Sequence, residues 1–287
     1  MRMKYAIVGG DMRSILLAET LAADGHTVHC FANEKVEIKG CVECSCLPSC
    51  LYAADAVFLP IPAEKGGVLN APFSDVRKSA EELLACLAPG QKLIGGAIDS
   101  RLLPLASSGG IQVFDLLKDE SFAEFNALLT AEAALGLLIH DCDRAVLGSR
   151  SLVLGYGRIG KALSSRLMAL GSGVTVAARS ETALSAAKNT GVKTIELTEL
   201  ESGIGDFDFI INTVPARILS NTALCSADEN AVFLELTSAP GGFDENLAKN
   251  VGLKVIPAPG LPGRFSPRSA AQYIKQLVYS AVNAGKE

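Results

Sequence analysis

Short apolar runs alternate with helix-patterned stretches from one end of the chain to the other, and midway the series starts again. "KYAIVGG", "HTVHCFA", "DAVFLPIP", "QKLIGGAI" and "IQVFDLL" read as buried strands. Between them lie helical runs such as "SILLAETLAADG", "SAEELLACLAPG" and "LLPLASSGG". A second series follows: "SLVLGYG", "GVTVAARS", "VKTIEL", "FDFIINTVP", "AVFLELTS" and "LKVIPAPG". Strands that alternate with helices imply parallel sheets, because parallel neighbours need a crossover and the helix supplies it. The expected fold class is therefore α/β, with two doubly wound parallel-sheet domains.

At 287 residues the chain is long enough for two domains. "SFAEFNALLTAEAALGLLIHD", residues 121–141, reads as one long helix that joins them. The expected division is 1–140 for an N-terminal substrate or partner domain and 141–265 for the second domain. The closing helix, 266–287, is expected to pack back on the first. With no low-complexity linker, the join reads as a stiff hinge and the site as a cleft between the domains.

A formal charge of −5 and the lack of any Lys/Arg run exclude nucleic acid as a main partner. The N-terminal apolar run ends at Asp11, too short for a signal peptide. No stretch reads as the roughly 18 apolar residues of a membrane helix. These features predict a soluble cytoplasmic protein that does not engage a membrane. Eight cysteines are then expected as thiols. Cys41, Cys44, Cys46 and Cys50 cluster, and Cys41–Cys44 has CxxC spacing. A second, separated pair is missing, so the expectation is a strand and loop without metal, with a metal clip or redox pair as the alternative.

The second series opens on "VLGYGRIGKAL", residues 153–163, a glycine loop between a strand and a helix. This context makes the domain Rossmann-like and the loop a dinucleotide site. Gly155 permits the turn, Gly157 lets the backbone approach a pyrophosphate, and Gly160 allows close helix–strand packing. Tyr156, Arg158 and Ile159 complete the candidate cofactor-binding loop, with phosphates at the helix N-terminus. Arg158 either reaches a phosphate or stands as a solvated charge. The next strand ends in "VAARSET", placing Arg179 and Ser180 where an NAD site carries a carboxylate. An arginine and a hydroxyl suit a 2′-phosphate, so the expected cofactor is NADP rather than NAD. Glu181 is assigned to the next helix start. Thr213, Val214 and Pro215 in "INTVP" are expected to meet the nicotinamide half, and "APGLPG" to form a rigid loop near it.

Three histidines, His26, His29 and His140, all precede the glycine loop and read as structural. A late histidine acting as acid or base on an alcohol is absent. Lys35, Lys39, Lys65 and Lys78 form no clear pair with an Asp, which disfavours a shikimate-type or amino-acid dehydrogenase. That class remains an alternative, as does a non-catalytic NADP(H)-sensing module.

The blocks "VGGDMR", "NALLTAEAA", "VLGYGRIGKAL", "VAARS", "INTVPARIL", "LELTSAPGGFDENLA" and "APGLPGRFSPRSAAQ" together resemble the dipicolinate synthase A-subunit family of spore-forming bacteria, over nearly the whole chain. Where the family pattern carries a basic residue in "TSAPGG", this chain has Ala239. The resemblance implies an NADP-dependent oxidation of dihydrodipicolinate, formed from 4-hydroxy-tetrahydrodipicolinate, to dipicolinate in sporulation. It also implies a smaller dipicolinate synthase B-subunit that resembles flavin-binding decarboxylases, and the chain itself leaves room for a homo-oligomer.

A small dicarboxylate substrate asks for cationic or N–H donors. The candidates are Asp11 and Arg13 in "GGDMR", Asn126 and Thr130 on the long helix, and Gly260, Gly263 and Arg264 near "APGLPG"; Arg268 is a further arginine there. Asp11 doubles as a helix cap. Asn126 and Thr130 share a helix face, whereas Glu132 lies about 200° from Thr130. Glu132 stands in the apolar run "LLTAEAALGLLI", where burial would raise a carboxyl pKa. It is the candidate for proton transfer, against a structural role.

Overall fold

The computed structural model describes residues 2–283, so Met1 and the last four residues of the expected closing segment lie outside the described residues. In chain order the first unit holds β1 (Lys4–Val8), α1 (Met12–Ala23), β2 (Thr27–Phe31), β3 (Val42–Glu43), α2 (Leu47–Leu51) and β4 (Ala56–Phe58). A hairpin of β5 (Glu64–Lys65) and β6 (Val68–Leu69) follows, then α3 (Ala80–Leu84), β7 (Lys92–Gly95), α4 (Leu102–Ser108) and β8 (Gln112–Asp115). The helix α5 (Glu120–Asp141) leads to the second unit. There come β9 (Arg150–Leu154), α6 (Arg158–Ala169), β10 (Gly173–Ala178), α7 (Glu181–Lys188), β11 (Lys193–Glu196), α8 (Leu200–Gly203) and β12 (Phe209–Asn212). The remainder is α9 (Asn221–Cys225), β13 (Val232–Glu235), α10 (Glu245–Asn250), β14 (Lys254–Pro257), α11 (Leu261–Phe265) and α12 (Pro267–Asn283).

Each unit has a six-stranded sheet of parallel pairs, ordered β3-β2-β1-β4-β7-β8 and β11-β10-β9-β12-β13-β14. The chain starts each sheet at its centre and reverses direction between β1 and β4, and again between β9 and β12. Ligands of doubly wound sheets bind at the carboxyl ends of the strands beside that reversal. The central strands are apolar on both faces because helices cover both. Alternate residues serve alternate cores: Tyr5 and Ile7 pack in one cluster, Ala6 and Val8 in the other. In the second sheet Val153 and Leu152 divide the same way.

The closing helix α12 packs into the first unit's core through Ala271, Ile274, Val278, Ala281 and Val282, at three- and four-residue spacing. A polar clasp fastens it to the end of α1. Lys275 Nζ and Tyr279 Oη both donate to Asp24 Oδ2, at 2.8 and 2.6 Å. The Tyr279 hydroxyl also lies 3.2 Å from His26 Nε2, while His26 Nδ1 accepts from the Met3 amide at 3.2 Å. Lys275 and Tyr279 hold the Asp24 carboxyl below its ordinary pKa of 3.8.

Three details depart from expectation. The division falls at Ala123/Glu124 rather than at 140/141, because Ala131, Ala134, Leu135 and Leu138 of α5 belong to the second unit's core. Among the described residues, α5 alone is long and apolar enough to cross a membrane, but most of it is buried within the protein. The "APGLPG" segment is not a plain loop, since α11 begins at Leu261.

The CxxC cysteines also part company. A strand sends residues three apart to opposite faces, and β3 lies between Cys41 and Cys44. Cys41 packs with Cys30 on the α1 side of the sheet, Cys44 with Cys50 on the other. His29 Nδ1 is 3.6 Å from Cys44 Sγ. Among the described residues no group of three or more His, Cys, Asp or Glu side chains is arranged to hold a metal ion.

Replacing Ile274, fully buried, with Ala should destabilise the first unit by about 2–5 kcal/mol in thermal or urea unfolding. Asp24→Asn should have a smaller effect, about 0.5 kcal/mol after solvent screening. Because the folded-state pKa of Asp24 is depressed, the clasp contributes fully above the ordinary carboxylate value and is lost as pH falls through the depressed one. The Asp24→Asn protein should therefore lose less stability than the parent between neutral pH and the acid side of that range. An unchanged acid dependence would show that the clasp carries no weight.

Candidate functional site

The glycine loop turns from β9 into α6 at the carboxyl edge of the second sheet. Gly155 has φ +94°, and a Cβ there would lie 2.6 Å from Val214 Cγ2 and 2.7 Å from Thr213 Oγ1. A Cβ on Gly160 would lie 2.2 Å from the Gly155 carbonyl oxygen. Neither position accepts a side chain, and so the helix start closes onto the strand. Gly157 differs, for a Cβ there would meet nothing within 4 Å. It is the N-cap of α6 and offers no side-chain cap. The open space and the uncapped first-turn N–H groups fit the pyrophosphate of a dinucleotide.

The flanking side chains divide by role. Tyr156 turns into the core, with its hydroxyl 3.0 Å from Thr190 Oγ1, so only its backbone is available to a ligand. Ile159 packs against the same core. Arg158 is half-exposed and lies 3.6 Å from the Glu124 carboxylate. Arg179 and Ser180 are exposed at the end of β10. Ser180 Oγ is 2.5 Å from Thr182 Oγ1, and among the described residues no carboxylate pairs with Arg179. Glu181 sits in the first turn of α7. Thr213 Oγ1 donates to the Leu154 carbonyl at 2.8 Å, which ties the segment ending at Pro215 to β9.

Two buried residues at this edge were not singled out from the sequence. Asn212 and Glu235 end β12 and β13 and face each other in register. Asn212 Nδ2 donates to both Glu235 oxygens, at 2.8 and 3.0 Å. Thr237 contributes its amide at 2.9 Å and its hydroxyl at 2.6 Å, and the Gly242 amide donates at 2.8 Å. The available signal was an amide and an acid closing two apolar runs, "FIIN" and "VFLE", with paired glycines after the second.

The substrate candidates are placed less uniformly. Asn126 and Thr130 do share a face of α5, where Thr130 Oγ1 donates to the Asn126 carbonyl at 2.7 Å. Asn126 Oδ1 is buried without a hydrogen-bond partner. Gly260 has φ +68° and is exposed, Gly263 is buried within α11, and Arg264 is exposed, its guanidinium 5.5 Å from the Phe265 ring centroid. Arg268 is exposed in the first turn of α12.

In the first unit Asp11 caps α1 by accepting from the Arg13 amide at 3.0 Å. Its carboxylate also holds the Arg13 guanidinium at 2.8 Å. Arg13, 5% exposed, donates as well to the Ile61 carbonyl. It is neither a surface charge nor an open anchor. The premise for Glu132 fails too. Its side chain is 60% exposed and 3.9 Å from Arg166, because Ala131, Ala133 and Ala134 take the buried positions around it.

Residues 4–117 match the family described as the N-terminal domain of the dipicolinate synthase A-subunit, and residues 152–232 match NADP oxidoreductase coenzyme F420-dependent. Over 280 residues the chain is 29% identical to the dipicolinate synthase A-subunit of Bacillus subtilis (strain 168), covering 96% of this chain and 94% of that protein. The crystal structure of the Bacillus subtilis dipicolinate synthase A-subunit superposes with a TM-score of 0.80 at 28% identity, over 98% of this chain and 97% of that one. The structure of the dipicolinate synthase A-subunit from Bacillus halodurans has the same fold, with a TM-score of 0.86 at 24% identity and 98% of both chains covered. The second unit is a Rossmann-like, dehydrogenase-like NAD(P)-binding domain.

The glycines predict two distinguishable defects. Gly157→Ala should keep its melting temperature to within a few degrees, the loss of a glycine N-cap being worth about 1 kcal/mol or less. It should nevertheless weaken dinucleotide binding, because the methyl group enters the open cradle. Gly160→Ala should instead destabilise the second unit outright. Thermal melts with and without nucleotide separate the cases, and equal behaviour of the two variants would refute the assignment.

Proposed function

Because the chain belongs to the dipicolinate synthase A-subunit family, we propose that it catalyses the NADP-dependent oxidation of dihydrodipicolinate to dipicolinate. The precursor forms from 4-hydroxy-tetrahydrodipicolinate, and the setting is the cytoplasm of sporulating cells. The observation that carries the choice of NADP is the end of β10. There Arg179 and Ser180 are exposed, and the carboxylate that would repel a 2′-phosphate is replaced by a cation and a hydroxyl.

In this reading the first-turn N–H groups of α6 bind the pyrophosphate above Gly157, and Thr213, Val214 and Pro215 border the nicotinamide half. Arg264 anchors one substrate carboxylate through a charge-assisted hydrogen bond, with Asn126, Thr130, Gly260 and Gly263 as further contacts. The cofactor supplies the hydride acceptor when bound. The substrate gives up one hydride and one ring proton, and aromatisation drives that loss, so water suffices as proton acceptor. Exposed Glu132 is not needed as a base. A smaller protein completes the synthase, and a flavoprotein-like B-subunit is the partner proposed here.

The test mixes the protein with NADP and freshly generated hydroxy-tetrahydrodipicolinate, with and without the B-subunit, and repeats with NAD. NADPH absorbance should rise together with the ultraviolet signal of dipicolinate. Nucleotide binding without turnover in any mixture would overturn the reaction and favour a sensor. Arg179→Ala should shift the NADP-over-NAD preference by about tenfold or more toward NAD, as loss of hydrogen bonds to a charged group worth about 1.5–3 kcal/mol implies.

A further inference from the structure

Glu235 is a buried carboxylate, 1% exposed, bound only by neutral donors. Among the described residues no Lys or Arg pairs with it. Its partner Asn212 is wholly buried. Stability alone does not call for such a pair, since replacing both partners of a buried hydrogen bond by apolar groups of the same shape can be nearly neutral or stabilising.

What the pair does locally is hold two loops. The Asn212 amide engages both backbone groups of Val214: Nδ2 donates to the carbonyl and Oδ1 accepts from the N–H, each at 3.0 Å. The Glu235 carboxylate gathers Thr237 and Gly242 from the loop after β13. The Gly242 carbonyl then accepts from the Ile218 and Leu219 amides at 2.8 and 3.0 Å, which returns to the loop after β12. Segments 213–219 and 236–242 are thus one body around a single carboxylate. The fit is close: a Cβ on Gly242 would lie 2.4 Å from Asn212 Cγ, and one on Gly241 would lie 3.2 Å from Glu235 Oε2.

These loops rise from β12 and β13, in the second half of the doubly wound sheet. That half takes the second mononucleotide of a dinucleotide, while the glycine loop and the end of β10 take the first. We propose that Asn212 and Glu235 are a positioning pair that sets the seat of the nicotinamide half and leaves the adenine half untouched. The inference rests on reading the second unit as an NADP site. In Glu235→Gln, an NH2 group would face donors at Asn212, Thr237 or Gly242, and the loops would have to move.

The experiment compares binding of NADP with binding of 2′,5′-ADP, its adenine half, by calorimetry on the full chain. The parent, Glu235→Gln and Thr237→Val are measured side by side. Thr237→Val removes one hydroxyl donor and keeps the shape, so it carries the test if the Gln variant does not fold. Affinity for 2′,5′-ADP should stay within about twofold of the parent in both variants. Affinity for NADP should fall by about tenfold in Glu235→Gln and about threefold in Thr237→Val. Equal fold-changes for the two nucleotides, or no change for either, would reduce the pair to a structural role and overturn the proposal. A parent that binds neither nucleotide would overturn the NADP reading itself. One that binds both equally would spare the site but overturn the pair, because the nicotinamide half would then have no seat.

Discussion

The second unit depends on how closely α6 can approach β9. That approach is limited by the Gly155 carbonyl oxygen, which would be 2.2 Å from any Cβ at Gly160. With both positions bare, the helix begins directly above the strand end, and the N–H groups of its first turn, which Gly157 leaves without a side-chain cap, point to the carboxyl edge. Gly157, at that edge, has open space where a side chain would stand. The loop thus has two tight glycines that build the turn and one loose glycine that leaves room for a ligand. Backbone sterics make the distinction, and residue type alone does not reveal it.

Buried polar groups complete both sheets at the same edge, in different ways. In the first unit Asp11 and Arg13 neutralise each other at the start of α1, and the guanidinium also ties in the Ile61 carbonyl. That arrangement closes the turn after β1 around an internal ion pair. In the second unit the buried carboxylate of Glu235 has only N–H and O–H donors about it, and they come from two loops. A buried polar group without partners would be expensive. The loops must therefore adopt the one geometry that supplies the donors, which is how a single side chain dictates the path of backbone distant in sequence.

The strand–helix alternation was legible because parallel strands covered on both faces are continuous apolar runs, and each was read from its own residues. The two-residue strands β3, β5 and β6 were not, since so short a stretch has no period. The glycine fingerprint and the residues ending β10 were legible because their spacing is local. Glu132 was misjudged for the opposite reason. Helix α5 is apolar nearly all round, so its pattern does not tell which side turns inward, and the packed alanines around residue 132 leave the carboxylate outside. The same packing moved the division between units to Ala123/Glu124. Asn212 and Glu235 were overlooked although both lie within the quoted blocks "INTVPARIL" and "LELTSAPGGFDENLA", because their significance lies in facing each other across two strands.

The sequence by itself determined the repeated α/β architecture, the place of the dinucleotide loop and the cation-and-hydroxyl end of β10, together with the family resemblance. These are short-range properties: periodicity, glycine spacing and strand ends are complete within a dozen or two residues. Only the tertiary structure decided which candidates are open to a ligand. It paired Arg13 with Asp11, turned Tyr156 inward, left Arg179 and Glu132 in solvent and separated Cys41 from Cys44 across a sheet. It also brought residues 212 and 235 together, because parallel register joins strand ends that the chain keeps a crossover apart.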